Sequence, residues 1–537
     1  MNRECLPVKA EDFALSPADS LMNKMYRVLY GEKLLCPRRN GIGDVFGPGE
    51  FGQEESFLNW FAETLSYDPL RQLRQTFWLL AIGWQRPLFK QKGGVIRGGS
   101  GLGPPERNIE TPRGQNLPSG TGMASIPSSY ICLLSHSTGD EDTRGNWGYL
   151  DQVAVLHWIQ KNIASFRGDP GLVTIFGESA GGGCVSVLIV SPLTKNLFHR
   201  AISQSGVVLM ESLYSSNIKP RSEKIITLIV CKITTSASMV HCIWQKTEEE
   251  ILNTTLEMEL FSLDFFGDPT KKIAFITAIL DGVFSPKKPK ELLAKKQFNH
   301  MPYIVGINNN EFSWLLPTLM QYPPIEDRMD QEKAMLLVWK SYPLLLISEN
   351  ILPLITEEYL GITNDTVKKK SLFMETMGDF FTGISIVMVA RFHMGAPTYM
   401  YEFLHRSSFW GNMKPESVKA DHGDDIFPVL GAPFLKEGAS EEEKQLSRTM
   451  MKYWANFARN GDPNGEGLLK WPAYDQNKQH LEFDINLAIG KKLKEKKLEF
   501  WSKIESQNIV SSAVLQCSFY TLNSISLFLI LLSLIIS

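Results

Sequence analysis

Residues 172–181 read LVTIFGESAG, and the fold prediction starts from this stretch. The run LVTIF (172–176) is short, apolar and rich in β-branched residues, which is typical of a strand buried in a parallel sheet. GESAG (177–181) follows, and its flanking glycines permit a tight turn before a helical pattern that runs through Cys184–Val190. A serine on such a strand-to-helix turn has an exposed hydroxyl, so Ser179 is a candidate nucleophile. The alternative is an ordinary glycine-rich turn that contains a serine.

Strands and helices alternate along the chain around this turn. Apolar residues recur at helical spacing over residues 148–166, which predicts an amphipathic helix. Ser440 and Glu443 form a capping-box pattern, which predicts a helix that ends at Asn460-Gly461. Further strands are predicted at residues 201–203, 303–306 and 398–403. The alternation predicts an α/β protein whose mostly parallel sheet is covered by helices on both faces.

A serine hydroxyl needs a base to take its proton and an acid to orient that base. On strand-turn-helix serine sites the acid and then the histidine follow the serine along the chain. Glu311 comes just after the predicted strand 303–306, and His422 lies in the polar segment DHGDD (421–425) after the strand 398–403. Taken singly, these residues could be a solvated loop acid and a surface or capping histidine. Their order behind Ser179 favours a catalytic triad.

From about residue 137 to residue 504 the chain resembles the type-B carboxylesterases, and most of all the mammalian liver-type carboxylesterases. The matching stretches are STGDEDTRGNWGYLDQVAVLHWIQKNIASF, GLVTIFGESAGGG, LFHRAISQSG, MPYIVGINNNEFSWLLP, ADHGDDIFPVLGAPF and WANFARNGDPNGEG. The resemblance implies an α/β-hydrolase fold. It also implies hydrolysis of uncharged esters, amides or thioesters of broad structure through an acyl-enzyme, with neither a metal nor an organic cofactor.

The resemblance also implies individual roles at the site. Ser179, Glu311 and His422 would be the nucleophile, the acid and the base. The backbone N–H of Ala180 would be one donor of the oxyanion hole, the group of N–H donors that binds the negative oxygen formed during the reaction.

The seven cysteines are scattered, and without a CxxC or Cys/His cluster they do not predict a structural zinc site. Cys231 and Cys242 are close enough in sequence to close a short loop, but composition alone favours the alternative that they are two unrelated thiols. The resemblance implies that they form a disulfide, and hence an oxidising compartment such as the endoplasmic reticulum lumen or the outside of the cell. Asn253 and Asn364 then become candidate glycosylation sites in Asn-x-Thr sequons.

The formal net charge of −3 gives no electrostatic reason to expect a nucleic-acid partner. The resemblance implies a small-molecule ester as the partner. Charged residues interrupt the first residues of the chain, and no signal peptide is recognisable there. Residues 519–537 carry no charge and are strongly apolar. This tail is just long enough to cross a bilayer or to belong to a lipid-anchor signal, which predicts membrane contact. The alternative is an extension that packs on the protein or stays disordered.

These patterns divide the chain into three regions. Residues 137–505 form the carboxylesterase-like domain, and residues 506–537 form the tail. Residues 1–136 are atypical for the family and are expected to be partly disordered or loosely packed. Within them, residues 77–84 are an apolar run that fits a strand or a buried helical turn. Residues 85–129 are rich in Gly and Pro without apolar periodicity, which indicates a linker or disorder.

The region before residue 137 lacks the family's early strands and its His-Gly-Gly oxyanion loop. Gly93-Gly94 and Gly98-Gly99 have no histidine or hydrophobic strand before them, so they are predicted to be loop glycines. We therefore expect an incomplete N-terminal side of the sheet and impaired turnover. Two alternatives follow: a catalytically silent hydrolase-fold binding protein, or an aberrant N-terminal variant of a carboxylesterase.

Overall fold

A computed structural model describes residues 79–83, 122–126 and 145–504, the last range with gaps. The gaps are residues 167, 211–212, 216–226, 230, 232–234, 248–249, 251–253, 255–256, 258–262, 264, 273–277, 321, 323–328, 348 and 436–437. The chain divides into two units, residues 1–491 and residues 492–537. In the second unit, residues 495–504 are helical. The apolar tail 519–537 lies outside the described residues.

An eight-stranded sheet organises the first unit, with the strand order β10-β9-β8-β7-β4-β3-β1-β2. Strands β3, β4, β7, β8 and β9 are parallel, whereas β10, β1 and β2 join antiparallel at the two sides. The strands are β1 (Leu79–Gly83), β2 (Gly122–Ile126), β3 (Val173–Glu178), β4 (Arg200–Gln204), β5 (Tyr214–Ser215), β6 (Ala278–Ile279), β7 (Tyr303–Asn308), β8 (Thr398–Phe403), β9 (Gln479–Phe483) and β10 (Ala488–Lys491). Strands β5 and β6 form a separate two-stranded sheet.

Helices connect the strands. The α-helices are α1 (Trp147–Asn162), α2 (Ala180–Val190), α3 (Ser236–Trp244), α4 (Pro289–Ala294), α5 (Leu315–Leu319), α6 (Gln331–Lys340), α7 (Tyr342–Leu345), α8 (Leu352–Ile355), α9 (Thr366–Gly378), α10 (Ile384–His393), α11 (Ile426–Val429), α12 (Ala432–Leu435) and α13 (Glu441–Asn460). Short 3₁₀-helical segments lie at Ile163–Phe166, Pro170–Leu172, Pro192–Thr194, Pro269–Lys271, Glu349–Ile351 and Ser408–Met413, the last with a kink at Gly411, and π-helical turns lie at Thr356–Leu360 and Asp379–Gly383.

The mostly parallel sheet predicted from the alternating pattern is confirmed. The predicted helix over residues 148–166 forms as α1 and a 3₁₀ turn, and the four predicted strands form as β3, β4, β7 and β8. Of the two structures that residues 77–84 allowed, the strand is observed, as β1. Strand β2 is an exception to the linker expected over residues 85–129, because it pairs along its whole length with β1. Backbone pairing of this kind leaves no periodic signal in a short glycine-containing segment.

The helix predicted from the capping pair is confirmed as α13. Ser440 accepts a hydrogen bond from the Glu443 N–H at 3.2 Å, and Gly461 ends the helix in the left-handed conformation, with φ of 74°. The Glu443 carboxylate binds the Ser408 N–H at 2.6 Å and the His405 ring at 3.1 Å. It is therefore used to hold a loop after β8 against the helix.

The largest aromatic core lies between α13 and the late strands. Tyr399 and Tyr401 of β8 contact Phe457 and Trp454 of α13, respectively, around the fully buried Trp471. The Trp471 Nε1–H donates to the Met400 carbonyl at 2.9 Å, so its one polar atom is satisfied. This packing holds β8 rigidly in the sheet, and the chain leaves β8 toward residues 421–425.

One helical stretch of the described chain, Thr366–His393, is long and apolar enough to cross a membrane, with a mean hydropathy of 1.4. It is 78% buried inside the protein, which is typical of a core helix.

Candidate active site

Ser179 lies on a strained turn between β3 and α2. Its φ of 56° and ψ of −122° are unusual for a residue with a side chain. Its N–H donates to the Gln204 carbonyl at 2.8 Å, and its carbonyl accepts from the Gly183 N–H at 3.0 Å. A Cβ on Gly177 would lie 2.4 Å from the Gly181 carbonyl carbon, so a side chain there would push the turn apart. The glycine spacing of the motif is thus a requirement of close backbone approach.

The three predicted side chains meet at this turn. The His422 Nε2 lies 2.7 Å from the Ser179 Oγ, and its Nδ1 lies 2.6 Å from the Glu311 Oε2. Both distances are those of good hydrogen bonds. Since β3 and β7 are parallel strands of one sheet, Ser179 and Glu311 leave it at the same edge, where the loop after β8 adds His422. Glu311 is 3% exposed and His422 is 4% exposed, so their contact is shielded from water.

The second oxygen of Glu311 is held by the neighbouring strands. Its Oε1 accepts hydrogen bonds from the Ser205 hydroxyl at 2.6 Å and from the Asn308 N–H at 2.7 Å. The Asn308 side chain in turn donates to the Ser205 Oγ at 3.0 Å. These contacts leave Oε2 for His422 and fix the rotamer of the carboxylate.

Aspartates on both sides of His422 fix its loop. Asp421 accepts from the Ser313 N–H at 3.1 Å and from the Leu315 N–H at 2.6 Å, which ties the loop to the segment after Glu311. Asp425 accepts from Gln204 at 2.9 Å and from Asn308 at 3.1 Å, at the ends of β4 and β7.

Asp424 anchors the same loop through a buried ion pair. Its carboxylate contacts the Lys414 ammonium, and both side chains are completely buried. The Lys414 ammonium also donates to the Lys419 carbonyl at 2.8 Å, and Asp424 accepts from the Trp410 indole N–H. A buried pair with this many hydrogen bonds holds its loop in one conformation.

Glu178 adds a second carboxyl group beside the imidazole. Its Oε1 lies 3.4 Å from the His422 Nε2, and this oxygen is buried without a hydrogen-bond partner although 21% of the side chain is exposed. Burial raises the pKa of Glu178 to about 8, and the positive charge of protonated His422 opposes this rise, so the two groups favour each other's charged forms. Burial alone would lower the pKa of His422, but the charges of Glu178 and Glu311 outweigh it and raise that pKa to about 9.

These shifts predict a pH dependence of ester cleavage. His422 must be neutral to accept the Ser179 proton, so kcat/KM is expected to rise with pH until the raised pKa of His422 is passed. In Glu178→Gln the nearby carboxyl group is gone, the imidazolium is less favoured, and the rise is expected at lower pH. The measurement is kcat/KM for a neutral ester across the pH range, for both proteins.

Glu466, exposed in the segment after α13, provides a matched control, because Glu466→Gln removes a surface carboxylate that is distant in sequence from Ser179, Glu311 and His422. Its profile is expected to overlay that of the wild type. A wild-type profile that is already flat at neutral pH, or one that Glu178→Gln does not move, would contradict this account.

Ala180 is the first residue of α2. The first N–H groups of a helix have no partner inside it and carry its positive end charge, so this N–H is a suitable donor to a negative oxygen. Gly93-Gly94 and Gly98-Gly99 lie outside the described residues.

Comparison with known proteins identifies the family. The sequence profile of the carboxylesterase family matches residues 135–501, which agrees with the range found from the motifs. The chain belongs to the carboxylesterase family. It is 57% identical to liver carboxylesterase 1 of Oryctolagus cuniculus over 371 residues, 55% to carboxylesterase 1D of Rattus norvegicus and 56% to liver carboxylesterase of Sus scrofa, each over 373 residues. The matches cover 68–69% of this chain and 66% of the relatives' length.

Sequence reasoning did not identify several residues of this carboxylesterase that contact the triad or hold its loop. They are Glu178, Ser205, Asn308, Lys414, Asp421, Asp424 and Asp425. Most lie inside the stretches quoted for the family resemblance, and three belong to the acid-rich segment 421–425. The sequence predicts only a polar loop for that segment. Its three carboxylates lie next to a buried histidine, however, and carboxylates in that position need hydrogen-bond donors from neighbouring segments.

The structure joins Cys231 and Cys242 by a disulfide, the pairing that the resemblance implied. Asn364 is exposed just before α9, in a position open to modification. Asn253 lies outside the described residues.

Proposed function

We propose that this chain hydrolyses carboxylic esters through a Ser179–His422–Glu311 triad. The observation that carries the proposal is the continuous hydrogen-bonded chain from the Ser179 hydroxyl, on its strained turn, through His422 to the buried Glu311. Such a chain activates a serine hydroxyl that is otherwise a poor nucleophile.

The first half of the reaction forms an acyl-enzyme. The Ser179 Oγ attacks the ester carbonyl carbon while its proton passes to the His422 Nε2. The Glu311 carboxylate stabilises the imidazolium that forms. The C–O bond to the leaving alkoxide then breaks, and His422 Nε2–H gives it the proton, so an alcohol departs.

The second half restores the enzyme by the same route. A water molecule takes the place of the alcohol, gives a proton to His422 and attacks the acyl carbon. The tetrahedral intermediate collapses, the Ser179 Oγ recovers the proton, and the carboxylic acid is released.

Ala180 would donate its N–H to the oxygen that becomes negative in both intermediates. Loss of one oxyanion donor typically costs about 10²–10³ in kcat. Because the family's His-Gly-Gly loop is absent from the sequence before residue 137, we propose that turnover is impaired by at least this order relative to a complete carboxylesterase.

The proposed substrates are uncharged esters, amides or thioesters. Two carboxyl groups, Glu178 and Glu311, lie beside the reacting histidine, and the ring of Phe381 packs against the imidazole with its centroid 6.1 Å away. Apolar and carboxyl-rich surroundings disfavour an anionic acyl group, because its charge would be desolvated without a cation.

We also propose an oxidising compartment, the endoplasmic reticulum lumen or the outside of the cell. The Cys231–Cys242 disulfide supports it, since such bonds persist in those environments. Glycosylation at Asn364 would fit the same compartment.

The experiment is turnover of a neutral activated ester, such as p-nitrophenyl acetate, by wild type and Ser179→Ala. The expected result is a wild-type rate above background that Ser179→Ala removes. The matched control is Ser417→Ala, at an exposed serine remote in sequence from the nucleophile. Equal rates from the folded wild type and Ser179→Ala would instead favour a catalytically silent binding protein, to which the missing oxyanion loop points.

A further inference from the structure

Three metal-ligand side chains converge on one face of the late strands. Glu402 of β8 pairs in register with Glu482 of β9, and His480 lies two residues before Glu482, so all three project from the same face. One ligand atom of each residue lies within 4.8 Å of the other two. The His480 Nε2 is 3.6 Å from the Glu482 Oε1 and 3.9 Å from the Glu402 Oε2.

His480 is buried without a hydrogen-bond partner. The residue is 2% exposed, and neither its Nδ1 nor its Nε2 makes a hydrogen bond. The carboxylate oxygens of Glu402 and Glu482 are the polar atoms in front of Nε2, but both are beyond normal hydrogen-bond distance. Buried polar atoms are rarely left unpaired, so a ring in this position indicates a group that bridges it to the carboxylates.

Gly490 of β10 keeps the space around these side chains open. It pairs with His480 across the two strands. A Cβ on Gly490 would lie 2.3 Å from both the His480 Nε2 and the Glu482 Oε1. Any other residue would therefore fill the place where the imidazole and the carboxylate converge.

We propose that Glu402, His480 and Glu482 form a binding site for a divalent cation of the Zn²⁺ class. One imidazole and two carboxylates are a ligand set that Zn²⁺ accepts. Tetrahedral Zn²⁺ at ~2.1 Å from each ligand needs ligand atoms ~3.4 Å apart, so the two distances from Nε2 require only small side-chain movements. The Glu402 and Glu482 side chains are 15% and 30% exposed, which leaves solvent access for the ion and for a water molecule as the fourth ligand.

The cation would connect two strands of the sheet. Glu402 belongs to β8, while His480 and Glu482 belong to β9, so the bound ion cross-links these strands and stabilises the folded state by mass action. None of the three ligands belongs to the triad, and the site does not depend on the proposed esterase activity.

The test is titration of the metal-free full-length chain with Zn²⁺ alone, by calorimetry and by the thermal unfolding midpoint. We expect one Zn²⁺ per chain and a higher midpoint with Zn²⁺. Glu482→Gln keeps the shape of the side chain and removes its charge, and we expect it to weaken Zn²⁺ binding by on the order of 10–100-fold or more. His480→Phe is expected to fold without metal and to lose the Zn²⁺-dependent rise.

The exposed His157 supplies the control, because His157→Phe removes a surface imidazole and should leave Zn²⁺ affinity unchanged. Gly490→Ala should close the site and weaken binding. The proposal would be overturned if the folded wild type bound no Zn²⁺. Binding that both His480→Phe and Glu482→Gln leave intact would overturn it as well, since the ion would then lie elsewhere.

Discussion

Glu311→Gln is expected to lower kcat by about 10⁴-fold while the protein stays folded. The Glu311 carboxylate accepts from Ser205 and Asn308 through one oxygen and from His422 through the other. Glutamine has only one acceptor oxygen, and if Ser205 and Asn308 keep it, the amide N–H₂ faces the His422 Nδ1. The ring must then carry its proton on Nε2, and that nitrogen can no longer accept the proton of Ser179.

The measurement is kcat for a neutral ester, with circular dichroism to verify the fold. Glu375→Gln makes the same chemical change at an exposed position of α9 and should leave kcat unaltered. A loss smaller than about 10-fold in Glu311→Gln would mean that Glu311 does not set the tautomer of His422.

Lys414→Met is expected to reduce the free energy of unfolding by roughly 3–5 kcal/mol. The methionine fills much of the space, but the Asp424 carboxylate stays buried without its cation. Burial already raises the pKa of Asp424, so this carboxyl group is expected to bind a proton in the variant. The loop that carries His422 should loosen, and kcat should fall together with stability.

Chemical denaturation, analysed with one denaturant slope for all variants, measures the loss in the free energy of unfolding. Lys419→Met, at an exposed lysine of the same loop, is the control and should change stability little. Asp424→Asn introduced into Lys414→Met replaces the buried acid, which must bind a proton when it has no cation, with a neutral amide, so the double variant should be more stable than Lys414→Met alone. If Lys414→Met and Lys419→Met unfold at the same denaturant concentration, the ion pair does not hold this loop.

Much of the fold could be predicted because its signals are local. The apolar run of β3, the helical spacing of α1 and the Ser440–Gly461 boundaries of α13 each depend on neighbouring residues. The order of the strands could not be predicted in this way. Strand β2 owes its place to pairing with β1, which precedes it by about forty residues, and pairing over such a separation has no periodic signal.

The residues of the candidate site also divide into those that the sequence predicts and those that only the fold brings together. Ser179 could be located from its tight turn, and Glu311 and His422 from their order and the family resemblance. The residues that hold them could not, because their partners are far away in sequence. Asp425 binds Gln204 across 221 residues, and Ser205 binds Glu311 across 106. The convergence of Glu402, His480 and Glu482 likewise depends on the register of β8 and β9, which sequence spacing does not reveal.

The most direct test of the triad is covalent labelling with a fluorophosphonate. The Ser179 Oγ should attack phosphorus and displace fluoride, and the adduct should appear on the tryptic peptide of residues 168–195. Ser179→Ala should remain unlabelled under the same conditions, and His422→Ala should label far more slowly. Folded wild-type protein that forms no adduct on Ser179 would contradict the account.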